Sequence, residues 1–235
     1  MEKGTLFLIP ATLGEEGLSI ISQEVKDIVQ QIDLFIVENE KSARRYLRSI
    51  GYKKEFSEGS LILMDKNYPD KIDKSVFDYL GEGKDVGLLS EAGLPCIADP
   101  GNYWVQHAHN YNVKVKPLTG SSAIILALIA SGFNGQQFRF NGYLPIKSSE
   151  RISTLKKMEE ISVSKNETQI FIETPYRNNV LLDDILRSCS SKTQLCIASE
   201  LTLPAEFIKT LSIADWKNNK PELHHKPTVF LIYSK

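Results

Sequence analysis

The sequence predicts an α/β protein made of two α/β domains, the first with a mostly parallel sheet and the second with a mixed sheet. Short apolar segments alternate with helix-length segments over the first half, which is the order of a parallel sheet covered by helices. In the second half the last three apolar segments follow one another with little helix between them, which favours antiparallel pairing. We place the boundary near Lys116–Leu118, which gives domains of residues 1–117 and 118–235.

The elements of the first domain follow from local hydrophobic spacing. The helical period is carried by Leu18, Ile21, Val25, Ile28 and Val29, and again by Ile72, Val76, Phe77 and Leu80. Two further helices are predicted at Lys41–Ser49 and Asn102–His109. Apolar runs predict strands at Thr5–Ile9, Asp33–Val37, Leu61–Met64, Val86–Leu89 and Val113–Leu118.

The second domain begins with an apolar helix, Ile124–Ala130, that ends near Ser131-Gly132. A bent strand over Phe138–Pro145 and a charged helix over Ser149–Glu160 follow. The remaining strands are predicted at Gln169–Glu173, Gln194–Ala198, Glu206–Leu211 and Thr228–Tyr233.

Two loops at strand ends carry the strongest functional signal. Ser90–Gly101 follows a buried strand and is rich in Gly, Pro and Asp, at the edge of the sheet where open α/β proteins bind ligands. Thr119–Ala123 follows the next strand and leads into an apolar helix, with Ser121 or Ser122 as a candidate N-cap. Each loop could equally be an ordinary connection with a capping serine. Together they indicate one shared cleft.

Composition and motifs exclude several classes of function. The formal net charge of −1 gives no global basic field for nucleic acid. Neither a Gly-x-Gly-x-x-Gly nor a P-loop motif is present. The three cysteines, Cys96, Cys189 and Cys196, have no metal-ligand spacing and are expected as free thiols in a reducing compartment. The pairs His107/His109 and His224/His225 are weak metal candidates, so we expect no metal. No apolar stretch reaches the roughly 18 residues of a membrane span, and a cytoplasmic protein is expected.

Seven motifs resemble those of the tetrapyrrole-methylase superfamily, the class III S-adenosylmethionine-dependent methyltransferases. They occur in family order over nearly the whole chain: Pro10–Glu15, Ser90–Gly101, Pro117–Ala123, Ala130–Gly132, Gly142–Pro145, Phe171–Arg177 and Ser199–Thr202. Within the superfamily, the chain is most similar to the branch that methylates small-subunit ribosomal RNA at a cytidine ribose 2′-hydroxyl.

The resemblance implies that S-adenosylmethionine is folded into a cleft between the two domains and that the protein is a homodimer. Its cofactor-binding residues, carried over motif by motif, would be Pro10, Leu13, Ser90, Glu91, Ala92, Gly93, Leu94, Ser121, Ser122, Ala123, Thr174, Leu201, Pro227 and Thr228. Plain core packing is an equal alternative for Leu94 and Leu201.

The sequence departs from the branch's motifs at several positions. These departures are compatible with a cofactor site but weaken the prediction of an RNA substrate. The branch's Glu-Asp-Thr-Arg motif stands here as Glu38-Asn39-Glu40-Lys41, and its Ser-Asp-Ala-Gly as Ser90-Glu91-Ala92-Gly93. Its Leu-Pro-Gly-Pro-Ser-Ala has become Leu118–Ala123 without the two prolines, and its closing Lys-Gly-Glu is Lys226-Pro227-Thr228.

Methyl transfer to a hydroxyl is helped by a base that removes the hydroxyl proton. Binding of RNA is helped by cations that contact its phosphates. Glutamates at strand ends are the candidate bases, Glu38, Glu40 and Glu173 first and Glu200 as a further possibility. Each could instead form a salt bridge, and Arg177 in particular could pair with Glu173. The candidate RNA contacts are Lys41, Arg44, Arg45, Arg48, Lys147, Arg151 and Arg177, with Lys156 and Lys157 nearby and with Tyr46 and Tyr143 as possible stacking rings. A solvated helix face is the alternative.

Three hypotheses result. The first is a methyltransferase for ribosomal RNA, or for the small ribosomal subunit, at a ribose 2′-hydroxyl. The second is a small-molecule, tetrapyrrole-type methyltransferase of the same fold. The third is a catalytically weakened relative that binds S-adenosylmethionine or a partner without transferring methyl, an alternative that the altered motif at residues 38–41 leaves open.

Overall fold

The computed structural model describes residues 2–14, 16–65, 68 and 70–234, and the chain forms two compact units, residues 1–122 and 123–235. Glu15, the last residue of the first predicted motif, lies outside the described residues. The fold class predicted from the sequence is confirmed, because one unit holds a parallel five-stranded sheet and the other a mixed one.

The first unit has a parallel sheet in the order β3-β2-β4-β1-β5. Its strands are β1 (Thr5–Ile9), β2 (Leu34–Val37), β3 (Leu61–Leu63), β4 (Val86–Leu89) and β5 (Lys114–Pro117). Its helices are α1 (Gln23–Val29), α2 (Glu40–Ser49), α3 (Ser75–Gly81) and α4 (Gly101–Asn110). All five predicted strands are therefore present, with ends within one residue of the prediction.

Helices cover both faces of this sheet, as alternation along β2 shows. Phe35 packs with residues of α1 and α2 on one face, whereas Ile36 packs with α3 and α4 on the other. The carboxyl ends of β1, β2, β4 and β5 consequently meet at one edge that the helices leave uncovered for loops.

The single helix predicted over residues 18–29 is wrong in one respect. A 3-10 helix, Gly17–Ile20, precedes α1, and Ile21 and Ser22 separate the two. Ser22 is extended, and its hydroxyl accepts a hydrogen bond from the Val25 N–H at 3.3 Å. The N-cap therefore interrupts an apolar stripe that reads as continuous in the sequence.

The second unit begins with α5 (Ala123–Ser131) and has a mixed sheet in the order β6-β7-β10-β8-β9. Its strands are β6 (Phe138–Tyr143), β7 (Thr168–Ile172), β8 (Gln194–Ser199), β9 (Phe207–Ser212) and β10 (Thr228–Tyr233). β6 pairs with β7 in parallel and every other pairing is antiparallel, so the predicted antiparallel pairing of the last three strands is confirmed.

Three helices pack with the apolar core of the second unit: α6 (Ser148–Lys165), α7 (Asn178–Ser188) and α8 (Ile213–Trp216). The sequence reasoning assigned no helix to α7 or α8. In α7 the signal was present, since Leu181, Leu182, Ile185 and Leu186 are spaced as one helical face and all are buried.

Candidate functional site

Three loops of the first unit meet at the carboxyl edge of its sheet. The Ala11 N–H donates to the Gly93 carbonyl at 2.8 Å, which ties the loop after β1 to the loop after β4. A Cβ placed on Gly93, whose φ is +71°, would lie 3.2 Å from Leu13 Cδ2 and 3.3 Å from the Ser121 carbonyl oxygen. The loop after β5 comes equally close, since a Cβ on Gly120 would lie 2.1 Å from Pro10 Cβ. The structure thus brings the predicted motifs of β1, β4 and β5 into direct contact.

A cavity of about 300 Å³ opens beside these loops. This volume is at the small end of what ligand pockets of proteins occupy. Its walls combine apolar, hydroxyl and charged side chains from the β1 loop, α2 and the β4 loop: Ala11, Thr12, Leu13, Gly14, Leu18, Ser42, Arg45, Tyr46, Ser49, Glu91 and Ala92.

Sequence reasoning missed Ser42 and Ser49 as lining residues. Ser42, Arg45 and Ser49 are spaced at i, i+3 and i+7 of α2, so they share one helical face. The sequence contains that spacing, but the basic residues of the same helix favour the prediction of an RNA-binding face instead.

Glu38 and Glu91 lie together at the ends of β2 and β4. The Glu91 N–H donates to Glu38 Oε1 at 3.0 Å, and the Ser42 hydroxyl donates to Glu91 Oε1 at 3.4 Å. A smaller cavity of about 20 Å³ is lined by both glutamates with Asn39, Ser42 and Tyr46 among others. The arrangement puts negative charge where the parallel strands end.

Asn39 explains how the altered Glu38–Lys41 motif keeps its shape. Its side-chain oxygen accepts the Ser42 N–H at 3.1 Å, which makes Asn39 the N-cap of α2. Asparagine and aspartate cap helices about equally well, so the helix start survives the loss of an aspartate from the family motif.

Glu40, a predicted base, is instead the first residue of α2 and pairs with Arg44 at 3.3 Å, one turn along the helix. This is the salt bridge that the sequence reasoning held as its alternative.

Tyr46 anchors α2 to the β1 loop. Its hydroxyl donates to the Pro10 carbonyl at 2.5 Å, and burial raises the pKa of the phenol well above its usual range. Tyr46 therefore acts as a neutral hydrogen-bond donor that positions the loop. Its ring also lines the cavity.

Asp99 holds the rest of the β4 loop. Its Oδ1 accepts the N–H groups of Cys96 at 3.0 Å and Gly101 at 2.7 Å, while Cys96 and Ala98 both have positive φ. Burial and the Asp99 carboxylate raise the pKa of the Cys96 thiol to about 12. The thiol stays protonated near neutral pH and is no nucleophile.

The basic residues of α2 do not act as one surface. The Arg44 and Arg48 guanidinium groups lie over the Phe56 ring at 4.8 and 4.7 Å, and Arg48 also donates to the Tyr52 carbonyl at 2.5 Å. Arg45 lines the cavity, and Lys41 is exposed at the start of the helix.

In the second unit, three motif segments meet at one edge of the mixed sheet. β10 is antiparallel to β7 and β8, so Thr228 pairs with Ser199 and the start of β10 lies beside the ends of the other two strands. The Glu200 N–H donates to the Pro227 carbonyl at 2.9 Å, and the Thr228 hydroxyl donates to the Lys226 carbonyl at 2.9 Å. Leu201 is buried, and Thr174 directly precedes a 3-10 helix, Pro175–Arg177.

Glu173 is a buried carboxylate at this edge, with 5% of its surface exposed. Its Oε1 accepts the Thr174 N–H at 2.7 Å and pairs with Arg177 Nη2 at 2.6 Å. Its Oε2 is buried and accepts no hydrogen bond. Four other buried polar atoms without a hydrogen-bond partner belong to residues of the same segments or of α7: Arg177 Nε, Asn178 Oδ1, Glu200 Oε2 and Thr202 Oγ1. Buried polar groups are normally satisfied, so such a cluster indicates a binding region.

The structure does not fit the prediction that Arg151 contacts RNA. Arg151 is 3% exposed, and its guanidinium pairs with Asp184 at 2.5 Å and donates to the carbonyls of Pro145 and Ile146. Its donors are directed into the protein, where they join α6 to α7. Lys147, by contrast, is exposed and pairs with Glu150 at 3.5 Å.

Within residues 2–14, 16–65, 68 and 70–234, no three His, Cys, Asp or Glu side chains are grouped as a metal ion would require. Over the same residues, no helix is long and apolar enough to cross a membrane.

The two units, one with a parallel sheet and one with a mixed sheet, define the fold of the protein. The whole chain is similar in fold to the uroporphyrin-III-C-methyltransferase of Thermus thermophilus, with a TM-score of 0.56 over 98% of this chain and 92% of that one, at 14% identity. The model of the tetrapyrrole (corrin/porphyrin) methylases matches residues 5–216, and the chain belongs to this family.

Relatives of known name agree with this membership. The chain is 31% identical to the ribosomal RNA small subunit methyltransferase I of Buchnera aphidicola from Acyrthosiphon pisum, over 92% of this chain and 74% of the relative. It is 33% identical to the protein of that name from Vibrio cholerae, over 89% and 69% of the two chains. The Pasteurella multocida protein of that name is 31% identical, over 99% and 80%.

Proposed function

We propose that the protein is an S-adenosylmethionine-dependent methyltransferase that acts on ribosomal RNA of the small subunit, at a ribose 2′-hydroxyl. Support comes from membership of the methylase family and from the names of the relatives. The structural observation that carries the proposal is the contact of three strand-end loops at one sheet edge, where Glu91 lines a cavity of about 300 Å³ and its N–H donates to Glu38.

The residues present fit the cofactor that the family implies. When bound, S-adenosylmethionine supplies a methyl group made reactive by a positively charged sulfur. Carboxylates at Glu38 and Glu91 favour a cationic ligand, and the glycines at 93 and 120 leave no room for side chains where the loops close on one another. We assign cofactor contact in the first unit to the predicted loop residues Pro10, Leu13, Ser90–Leu94, Ser121 and Ser122; Ala123, predicted with them, is the first residue of the second unit.

We propose separately that the cofactor also contacts four predicted residues of the second unit, Thr174, Leu201, Pro227 and Thr228. They belong to the edge that carries the buried polar atoms that form no hydrogen bond. That cluster fits a ligand rich in hydroxyl and amino groups, because each such group can supply a missing partner.

Methyl transfer needs alignment and a proton acceptor more than a protein nucleophile. Of the three carboxylates predicted as base, Glu173 is the one with a buried oxygen that accepts no hydrogen bond. Glu38 Oε1 is used by the Glu91 N–H. Glu173 and Glu40 each pair with an arginine, but the Glu40 side chain is 46% exposed whereas that of Glu173 is 1% exposed. We therefore prefer Glu173 as the group that takes the proton from an acceptor hydroxyl.

The cations proposed to contact RNA are now Lys41, Arg44, Arg45, Arg48, Lys147 and Arg177, with Arg151 removed. Arg45 is the member of this set that lines the first unit's cavity. An Arg–phosphate contact there would fix the backbone of a nucleotide without reading its base.

Titration calorimetry with S-adenosylmethionine tests the cofactor assignment. We expect Glu91→Ala and Ser122→Ala each to weaken binding roughly 10-fold or more, since a lost hydrogen bond to a charged group costs about 1.5–3 kcal/mol. Glu82→Ala is the matched control, because Glu82 forms an exposed pair with Lys84 at 2.6 Å. Folded wild-type protein that binds no S-adenosylmethionine would contradict the assignment.

Methyl transfer to purified small ribosomal subunits separates this function from the alternatives. Transfer to a porphyrin precursor but not to subunits would support the small-molecule hypothesis. Cofactor binding without transfer to either would support a catalytically weakened relative.

We also expect a homodimer that works in the cytoplasm, where ribosomal RNA is found. The homodimer rests on the resemblance and is compatible with α5, whose Ile129 side chain is 72% exposed in the single chain. Sedimentation of the purified protein as a monomer at micromolar concentration would contradict it.

A further inference from the structure

Tyr176 stands out on the surface of the second unit. It is the middle residue of the 3-10 helix Pro175–Arg177, and 65% of it is exposed. Its ring meets the His225 ring edge-on, with centroids 4.6 Å apart and planes at 82°, and His224 lies 4.0 Å from His225. Three rings from two segments distant in sequence are therefore grouped together.

The turn that carries Tyr176 is fixed from within. The Arg177 N–H donates to the Thr174 carbonyl at 2.9 Å, and the Arg177 guanidinium pairs with buried Glu173 at 2.6 Å. The His225 N–H donates to the Pro175 carbonyl at 3.1 Å. These three contacts fix the backbone of the turn and the Arg177 side chain, while the Tyr176 ring is exposed.

The segment Glu222–Lys226, which carries both histidines, is held in place by the first two residues of α7. Buried Asn178 donates to the Lys226 carbonyl at 2.6 Å. Asn179 accepts the Leu223 N–H at 2.9 Å and donates to Glu222, which also accepts the His224 N–H at 2.7 Å. These contacts hold His225 in the left-handed region, at a φ of +61°, which non-glycine residues adopt infrequently.

The two segments that carry the rings contain both cations and anions. In each of their two ion pairs, the cationic side chain is more exposed than the anionic one. The Arg177 side chain is 36% exposed, against 1% for its partner Glu173. Lys226 follows His225 directly and is 43% exposed, against 20% for Glu200, which lies 3.7 Å away. Glu222 is the exposed anion of the loop, engaged by Asn179 and the His224 N–H.

We infer that Tyr176, supported by His225 and flanked by Arg177 and Lys226, is a stacking site for an unpaired nucleobase of the RNA substrate. Single-stranded RNA is bound by aromatic faces for bases and by cations for phosphates, and the site offers both on a fixed scaffold. The inference rests on the proposed function, because it names how that substrate is held.

The test uses a fluorescein-labelled single-stranded oligocytidylate with wild-type protein, Tyr176→Ala, Tyr176→Phe and Tyr68→Ala. Tyr68 is the matched control because it is also 65% exposed but lies in the first unit. We expect Tyr176→Ala to weaken binding about 5- to 100-fold, as loss of one stacked base does, and to raise the KM for small subunits. Tyr176→Phe, which keeps the ring, and Tyr68→Ala should bind like wild type.

Salt dependence of RNA binding and affinity for S-adenosylmethionine distinguish failure of the stacking site from failure of the proposed function. Removing a ring removes no cation, so Tyr176→Ala should leave unchanged both the slope of log affinity against log salt and the affinity for S-adenosylmethionine. If Tyr176→Ala binds the oligonucleotide and methylates subunits as wild type does, the stacking site is refuted and the methyltransferase function stands. If wild-type protein neither binds RNA nor methylates subunits, the proposed function fails and the inference fails with it.

Discussion

Gly120 shows at the level of one residue how tightly the candidate site is built. A Cβ at this position would come within 2.1 Å of Pro10 Cβ and 2.7 Å of Pro10 Cγ, atoms of a ring that cannot rotate away. The small residue is required by the close approach of the β5 loop to the β1 loop. The family resemblance marked this segment from the sequence, but only the coordinates show which atom it must avoid.

We predict that Gly120→Ala destabilises the protein by about 1–3 kcal/mol, because overpacking forces the two loops apart. Gly81→Ala is the control, since nothing lies within 4 Å of a Cβ at the end of α3 and alanine favours helix. Urea unfolding of both variants and of wild type measures the difference. Equal stability of the two variants would show that the loops yield without cost.

At the level of elements, the salt bridge between Arg151 of α6 and Asp184 of α7 is a contact that the sequence does not predict. Arg151 occurs within a run of cations, and this local pattern favoured an RNA contact. The residue that decides its role is Asp184, on α7 and 33 positions away, together with two backbone carbonyls of the preceding turn. A single sequence gives no indication of such a partner when the helix that carries it has not been predicted.

Breaking this pair should loosen α6 from α7. Arg151→Ala leaves Asp184 buried with Arg187 and Ser148 as its remaining side-chain partners, and we expect a loss of about 3–5 kcal/mol in unfolding free energy. Lys157→Ala, at an exposed position of the same helix, should change stability by no more than about 0.5 kcal/mol. Thermal unfolding followed by circular dichroism compares the two. An Arg151→Ala protein as stable as Lys157→Ala would refute the structural role.

The strands and the candidate loops could be predicted because both depend on short-range pattern. The strands β1, β2, β4 and β10 are apolar runs bounded by turn residues, and parallel pairing then places the ends of β1, β4 and β5 at one edge. The N-cap at Ser22 and the orphaned oxygen of Glu173 could not be predicted. They depend on backbone angles and on burial that arise only when distant segments meet.

At the scale of the whole molecule, each of the two units has one sheet edge at which the predicted motifs are gathered, and a single activity is proposed for the chain. The first unit offers a cavity lined by Glu91, and the second offers Glu173, which has a buried oxygen that accepts no hydrogen bond and precedes the exposed Tyr176 by three residues. Family membership establishes a methylase, and the ribosomal RNA substrate is the central claim that experiment must decide.

The most direct test incubates small ribosomal subunits with the protein and S-adenosylmethionine carrying a labelled methyl group, followed by digestion of the RNA to nucleosides. The subunits should come from cells that lack this protein, so that its target is unmodified. The account predicts label in a single 2′-O-methylated nucleoside of the small-subunit RNA. Folded, cofactor-binding protein that transfers no label to this RNA, or that places it on a base, would contradict the account.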